Sequence, residues 1–140
     1  MQQSSLTAEK QEKVIEILRS NGVFIGYLFG SYSRGRAGNL SDIDLGVVFP
    51  KSIPLALQEQ NIEQVRNSLE KIFGKDKVDI VNVPQLRNPL LRYVITLGEG
   101  KILFAEDISQ KNNLADQARR EFEDTRRLRE IQSQALKNLF

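Results

Sequence analysis

Apolar positions recur along the chain with two different spacings, one typical of helices and the other of short buried strands. The helical spacing predicts four helices, at Thr7–Arg19, Pro54–Phe73, Asn88–Leu97 and Asn113–Phe140. Short apolar runs predict four strands, at Val23–Phe29, Ile43–Phe49, Val78–Val83 and Lys101–Ala105. The order α-β-β-α-β-α-β-α indicates an α/β (α+β) fold in which one mixed sheet is flanked by helices.

The last predicted helix differs from the others in composition. From Asn113 onward charged side chains dominate, and a narrow apolar stripe runs between them. We therefore expect a globular domain over residues 1–110 and a long C-terminal helix over residues 111–140. Two roles fit that helix equally well: it could pack onto the domain, or it could dock a helical partner through a polar interface.

The amino-acid composition removes several classes of chemistry. At 140 residues the chain is long enough for one domain with its own hydrophobic core. It contains no cysteine and no histidine, which excludes thiolate and imidazole metal sites as well as histidine-based catalytic triads. Catalysis would therefore have to use carboxylates, hydroxyls, lysine, arginine or oxygen-bound metal ions.

Charge and hydropathy indicate the compartment and the kinds of partner. The net charge is only +2, and Lys and Arg are spread among Asp and Glu without a dense basic tract. The chain has no long apolar run, and its first residues are polar. We expect a cytoplasmic protein that binds neither membranes nor nucleic acid directly.

Two aspartates at the second predicted strand are the first candidate site residues. Asp42 and Asp44 are two positions apart, so in a strand both project from one face, opposite Ile43 and Leu45. Adjacent carboxylates repel each other unless a cation neutralises them, and oxygen ligands suit Mg²⁺. The pair therefore predicts a magnesium site.

A segment that could hold phosphate precedes the two aspartates. Gly30-Ser31 follows a predicted buried strand, where a small residue and successive amide groups can form an anion-binding nest. Arg34 is a candidate phosphate ligand nearby, whereas Arg36 fits a solvated loop better. Ser41 fits two roles equally, a contact with the nucleotide or a hydroxyl that caps a turn.

A third carboxylate is expected from a neighbouring strand. Asp79 stands within an otherwise apolar, β-branched run, where an aspartate is costly unless it is paired, bound to metal or turned to water at an edge. Together with Asp42 and Asp44 it could bridge two metal ions for in-line displacement at a phosphorus atom. We therefore expect all three aspartates to form one site.

The spacing of these residues resembles that of a known family. Gly30-Ser31, ten intervening residues and Asp42-Ile43-Asp44 are similar to the GS-x10-DxD signature of the DNA polymerase β-like nucleotidyltransferases. The longer segment GSYSRGRAGNLSDIDLGV, followed by VDIV, most resembles the minimal nucleotidyltransferases, or MNT domains. The similarity extends from Val23 to Val83 and, loosely, to Ala105.

That resemblance implies a fold, an activity and a set of site residues. It implies the polymerase β-like nucleotidyltransferase fold, Mg²⁺ dependence and transfer of a nucleoside monophosphate from a triphosphate. Many small members are antitoxins that transfer AMP from ATP to a tyrosine of a helical HEPN ribonuclease toxin. The resemblance assigns metal binding and catalysis to three residues and nucleotide binding to three others, which are Asp42, Asp44 and Asp79, and Gly30, Ser31 and Arg34.

Two alternative functions are compatible with the same residues. An antitoxin could inhibit its toxin by occlusion alone, but occlusion does not require three carboxylates. A small-molecule nucleotidyltransferase, for example one that acts on an antibiotic, generally needs further sequence or a second copy to form its acceptor site. We therefore expect a protein adenylyltransferase whose partners are ATP, Mg²⁺ and a cognate HEPN toxin.

Overall fold

The computed structural model describes residues 6–30, 42–98 and 100–139, apart from the side chains of 136 and 139. It contains four α-helices and four β-strands in the predicted order, which are α1 (Ala8–Ser20), β1 (Ile25–Phe29), β2 (Ile43–Val48), α2 (Leu55–Phe73), β3 (Val78–Asn82), α3 (Pro89–Thr96), β4 (Lys101–Ala105) and α4 (Ile108–Leu139). A short 3₁₀ turn at Val83–Gln85 joins β3 to α3. No helix within the described ranges has the length and apolar character needed to cross a membrane.

The four strands form one mixed sheet, as predicted. Their order across the sheet is β3-β2-β1-β4. β1 pairs antiparallel with β2 on one side and with β4 on the other, whereas β2 and β3 run parallel. The parallel pair is connected through α2, as a crossover between parallel strands requires.

The two faces of the sheet are covered by different helices. One face carries Ile43, Leu45 and Val47 and packs against α1 and α2 in the larger core cluster. The other face carries Ile25 and Tyr27 of β1 in a smaller cluster with residues of α3 and α4. Because side chains alternate along β2, Asp44 belongs to this second face.

Local capping interactions fix the ends of two helices. The side chain of Thr7 accepts a hydrogen bond from the amide of Lys10 and caps α1. Asn88 caps α3 by accepting from the amides of Leu90 and Leu91. Pro89 takes the first helical position of α3, where its missing N–H is not needed.

The C-terminal helix begins earlier than predicted. α4 starts at Ile108 rather than Asn113, because Asp107 Oδ1 accepts from the amide of Gln110 at 3.2 Å and caps the helix there. The predicted boundary between residues 110 and 111 therefore falls inside this helix. Its first turns carry few apolar side chains, which is why the apolar pattern begins only further on.

The first half of α4 packs firmly against α3. Ala118 is fully buried, and the rings of Tyr93 and Phe122 stack with their centroids 4.2 Å apart. Arg92 forms an ion pair with Glu121 and also donates to a backbone carbonyl ahead of α3. The side chain of Arg92 is only 12% exposed, so this contact is well shielded from water.

Candidate active site

The strand register brings two of the predicted acids side by side. Asp44 of β2 is the register partner of Asp79 of β3, and on its other side it faces Phe29 of β1. Neighbouring strands lie about 4.8 Å apart, so carboxylates on register partners on the same face are close neighbours. The parallel pairing is anchored by the amide of Ile43, which donates to the carbonyl of Lys77 at 2.8 Å.

Asp42 completes a group of three acids at one end of the sheet. It directly precedes β2 and is exposed, as is Asp79, whereas Asp44 is partly buried. The structure therefore places all three aspartates at the same corner of the sheet, Asp44 and Asp79 on β2 and β3 and Asp42 directly before β2. Both β2 and β3 begin at this corner, which we call the acidic corner and define by Asp42, Asp44 and Asp79.

The electrostatics of Asp44 reflect both its burial and the two neighbouring carboxylates. Burial and, to a smaller extent, the charges of Asp79 and Asp42 together raise the pKa of Asp44 from 3.8 to about 6. Burial and like charges both disfavour the ionised carboxylate, while a bound cation would favour it. The three aspartates therefore form an acidic cluster that a bound cation would stabilise.

Gly30 directly follows β1, and its backbone lies in close contact with the Asp44 carboxylate. Its φ angle is +73°, a backbone conformation that side-chain-bearing residues rarely adopt. A Cβ atom at this position would overlap Oδ2 of Asp44. The sequence pattern predicts Gly30 as part of a phosphate-binding step, and the structure adds a role beside the carboxylate that the pattern does not reveal. A glycine at the end of a buried strand is the only signal of it in the sequence.

Gly46 lies on the same face of β2 as Asp44, and the space beside it is filled. A Cβ at Gly46 would lie 2.9 Å from Cγ2 of Val83 and 3.2 Å from Cγ2 of Ile95. The glycine thus lets α3 and the preceding turn approach the sheet closely. As a result, Val83 and Ile95 pack closely over β2 two residues beyond Asp44.

The donor chemistry of the acidic corner fits a hard divalent cation. Carboxylate oxygens are the usual protein ligands of Mg²⁺, which commonly uses one or two of them together with substrate phosphates. Among the described residues, no three acidic side chains already converge on a single point at ligand distances. Asp42 and Asp79 are exposed, so rotation of these two side chains would be needed to bring their oxygens around one ion with Asp44.

Only part of the predicted phosphate-binding segment belongs to the described residues. Gly30 is described, whereas Ser31, Arg34 and Ser41 lie outside the described residues. Their assignment to the nucleotide therefore stays a prediction from the sequence. The same holds for Arg36, which is predicted as a solvated loop residue.

A separate cavity lies at the opposite end of β2. It measures about 680 Å³, and its lining includes Val48 and Phe49 from the end of β2, Gln85, and Asn113 of α4. Val48 is four residues beyond Asp44, which corresponds to about 13 Å along a strand. None of the three aspartates is among the described residues that line it, so this cavity is distinct from the acidic corner.

Comparisons with known proteins give a match to one family and to individual relatives. Residues 12–109 match the family model described as polymerase beta, nucleotidyltransferase. A candidate protein adenylyltransferase of Methanocaldococcus jannaschii is 33% identical over 84 residues, which cover 60% of this chain and 84% of that protein. The protein adenylyltransferase MntA of Shewanella oneidensis is 29% identical over 91 residues, which cover 64% of this chain and 62% of MntA.

Solved structures share the fold at lower sequence identity. A crystal structure of a toxin–antitoxin with AMP-PNP superposes with a TM-score of 0.70 at 22% identity, covering 90% of this chain and 97% of that one. A structure of the tri-AMPylated HEPN toxin of Shewanella oneidensis in complex with MNT antitoxin gives a TM-score of 0.64 at 20% identity, covering 90% and 94%. At these identities the likeness establishes the architecture alone.

Proposed function

The chain belongs to the polymerase beta nucleotidyltransferase family, and from this premise we propose that it is an antitoxin that transfers AMP from ATP to a tyrosine of a cognate HEPN ribonuclease toxin. Modification of that tyrosine would neutralise the toxin in the cytoplasm. Nucleotidyl transfer is the activity of the family, whereas the donor, the acceptor and the biological role are parts of the proposal. Magnesium dependence is also part of it.

The observation that carries the proposal is the acidic corner itself. Asp44 is held partly buried against Gly30, where its pKa is raised to about 6 by burial and by the charges of Asp79 and Asp42. Such an arrangement is unfavourable for the protein alone, because three like charges crowd one corner. It becomes favourable when positive charge is bound, which is the condition of a metal–nucleotide site.

Asp42, Asp44 and Asp79 would hold the magnesium ions, of which we propose two. Bound there, magnesium would neutralise charge on the triphosphate and favour in-line displacement at the α-phosphorus. Gly30 would let the triphosphate approach the chain closely, with Ser31 and Arg34 as further ligands of its phosphates. For Ser41 the proposed role is a contact with the nucleotide.

The proposed transfer forms one bond and breaks another at the α-phosphorus. The tyrosine hydroxyl oxygen bonds to that phosphorus, while the bond to the oxygen that bridges the α- and β-phosphates breaks and pyrophosphate leaves with its electron pair. The proton of the hydroxyl passes to a carboxylate of the acidic corner. We propose Asp79 as that carboxylate, since it is exposed on the edge strand β3 and borders Asp44.

Support for the donor and the acceptor comes from similar proteins. One relative carries the name protein adenylyltransferase, and a structure with the same fold is described as a toxin–antitoxin with AMP-PNP. Another is described as an AMPylated HEPN toxin in complex with MNT antitoxin. These descriptions favour ATP over other donors and a helical ribonuclease over a small molecule.

Intact-mass measurement of the partner tests the proposal. The purified chain is mixed with Mg-ATP and with the product of the neighbouring gene, which the proposal expects to be a HEPN toxin, and that partner is weighed before and after. We expect mass additions of whole AMP units on the toxin, and a loss of its ribonuclease activity in proportion. The Asp42→Asn/Asp44→Asn double variant should add no AMP.

A matched substitution controls for general effects of charge removal. Asp116→Asn removes one exposed carboxylate on α4 whose partner is Arg119, far in sequence from the site, and should leave AMP transfer unchanged. A tight complex that silences the ribonuclease with no mass addition would contradict enzymatic transfer and indicate occlusion. Full AMP transfer by the double variant would exclude the proposed roles of Asp42 and Asp44.

A further inference from the structure

The last turns of α4 extend beyond the part of the helix that packs on the domain. Up to Thr125 the helix has a partly or fully buried side, formed by residues such as Ala118 and Phe122. From Arg126 to Asn138 every side chain that the structure describes is exposed. We call residues 126–139 the arm; its 14 residues correspond to a length of about 21 Å.

An exposed apolar stripe runs along the arm. Leu128 is 59% exposed and Ile131 is 63% exposed, and Ala135 follows four residues later. The spacing of three and then four residues places these side chains on one side of the helix. Large aliphatic side chains grouped in this way are typical of a surface that another protein covers.

The arm is strongly basic around this stripe. Between Arg126 and Asn138 there are four basic side chains and one acidic side chain, so the segment carries a net charge of +3. Arg126 is already paired with Glu123 and Glu130. Arg127 has no ion-pair partner among the described residues, and it lies one turn before Ile131 on the same side of the helix.

The apolar side chains of the arm that the structure describes are exposed, although most helical stability in proteins comes from the packing of an apolar face. The arm continues a helix whose earlier turns already pack on the domain. Among the described residues, the side-chain hydrogen bonds and ion pairs of the arm lie within α4, such as the hydrogen bond from Arg129 to Thr125 at 3.1 Å. Packing of the exposed stripe against another surface would therefore add stability that this part of the helix does not gain from its own domain.

We propose that the arm docks an acidic, helical surface of the HEPN toxin through Leu128, Ile131 and Ala135, with Arg127 pairing a carboxylate of the toxin. This inference rests on the proposed function for the identity of the partner. The charge of +3 argues against pairing with the arm of a second copy, since two arms would repel each other. The apolar stripe argues against nucleic acid, whose phosphates require basic rather than aliphatic contacts.

Binding measurements with two matched double variants test the docking surface. Leu128→Glu/Ile131→Glu places two negative charges on the stripe. Ser133→Glu/Lys137→Gln lowers the charge by the same two units, but on exposed positions about 150–170° around the helix from the stripe. Calorimetry against the toxin should show binding at least about 10-fold weaker for the first variant and within about twofold of wild type for the second.

Activity at different toxin concentrations separates this proposal from the proposed function. The stripe variant should need more toxin to reach half-maximal AMP transfer while keeping the wild-type maximal rate. If the wild type binds the toxin through the stripe but transfers no AMP, the docking surface stands and the enzymatic proposal fails. If the stripe variant binds as tightly as wild type, the docking surface is wrong whatever the activity.

Two further outcomes would also overturn the docking proposal. A dimer of the chain alone that the stripe variant dissociates would show that a second copy covers the stripe. Weaker toxin binding by the Ser133/Lys137 variant, with the stripe variant unaffected, would assign docking to the opposite side of the arm. Circular dichroism checks folding, and Leu128→Ser/Ile131→Ser replaces the glutamate pair if that variant loses helix.

Discussion

Replacing Asp44 with asparagine should stabilise the metal-free protein at neutral pH. The substitution removes one of three crowded negative charges while keeping the size of the side chain. Asp44 has a pKa of about 6 in the folded protein against 3.8 for an ordinary aspartate. Because the folded value is the higher one, protonation of Asp44 favours the folded state, and that stability is lost as the pH rises through about 6.

The size of the effect follows from this shift. A difference of about two pKa units corresponds to about 3 kcal/mol for a fully enclosed group. Part of the Asp44 side chain is in contact with water, and screening reduces the figure to about 1–2 kcal/mol. We therefore expect Asp44→Asn to be more stable than wild type by about 1–2 kcal/mol at pH 7.5, and the advantage to fall by about half at pH 5.

Urea unfolding in EDTA at 25 °C, followed by circular dichroism at pH 7.5 and pH 5, measures this difference. Added Mg²⁺ should raise the stability of the wild type and have little effect on the variant. The control Asp116→Asn, on an exposed carboxylate, should change stability by less than about 0.5 kcal/mol. An Asp44→Asn protein that is less stable at pH 7.5, or a difference that is the same at both pH values, would refute the electrostatic reasoning.

Three other substitutions test particular contacts, each by urea unfolding. Gly30→Ala should lower the free energy of unfolding by about 1–3 kcal/mol and also reduce AMP transfer, because the backbone at Gly30 is strained for alanine and the added Cβ would displace the Asp44 carboxylate. Unchanged stability would show that the turn adjusts to the substitution. Gly46→Ala should lower the free energy of unfolding by about 1–3 kcal/mol, because the added methyl group would overpack against Val83 and Ile95. A more stable variant would contradict this expectation. Glu121→Gln should lower the free energy of unfolding by about 1–2 kcal/mol, because it leaves the shielded Arg92 without its charged partner. No loss of stability would mean that the hydrogen bond to the backbone carbonyl is sufficient for Arg92.

The fold was largely predictable because apolar spacing reports secondary structure directly. All eight predicted elements are present, and the mixed sheet is confirmed. The order of the strands was not predictable, since the placement of β4 beside β1 depends on tertiary packing. The start of α4 was placed five residues late, because Asp107 caps a polar first turn that shows no apolar period.

The grouping of the three aspartates was predictable from the sequence, whereas their geometry was less so. The two-residue spacing of Asp42 and Asp44 indicated a shared face, and the lone acid in a β-branched run indicated Asp79. The sequence could not show that Asp44 and Asp79 are register partners, because parallel register is set by how α2 packs across the sheet. The close contact between Gly30 and the Asp44 carboxylate was also not predictable, because it depends on how β1 and β2 pair.

Transfer of label from ATP to the toxin tests the central claim most directly. ATP labelled at the α-phosphate or at the γ-phosphate is incubated separately with the chain, Mg²⁺ and the HEPN toxin. Nucleotidyl transfer through the acidic corner predicts label on the toxin from α-labelled ATP only, and none with the Asp42→Asn/Asp44→Asn variant. Label from γ-labelled ATP, or undiminished α-label with the double variant, would contradict it.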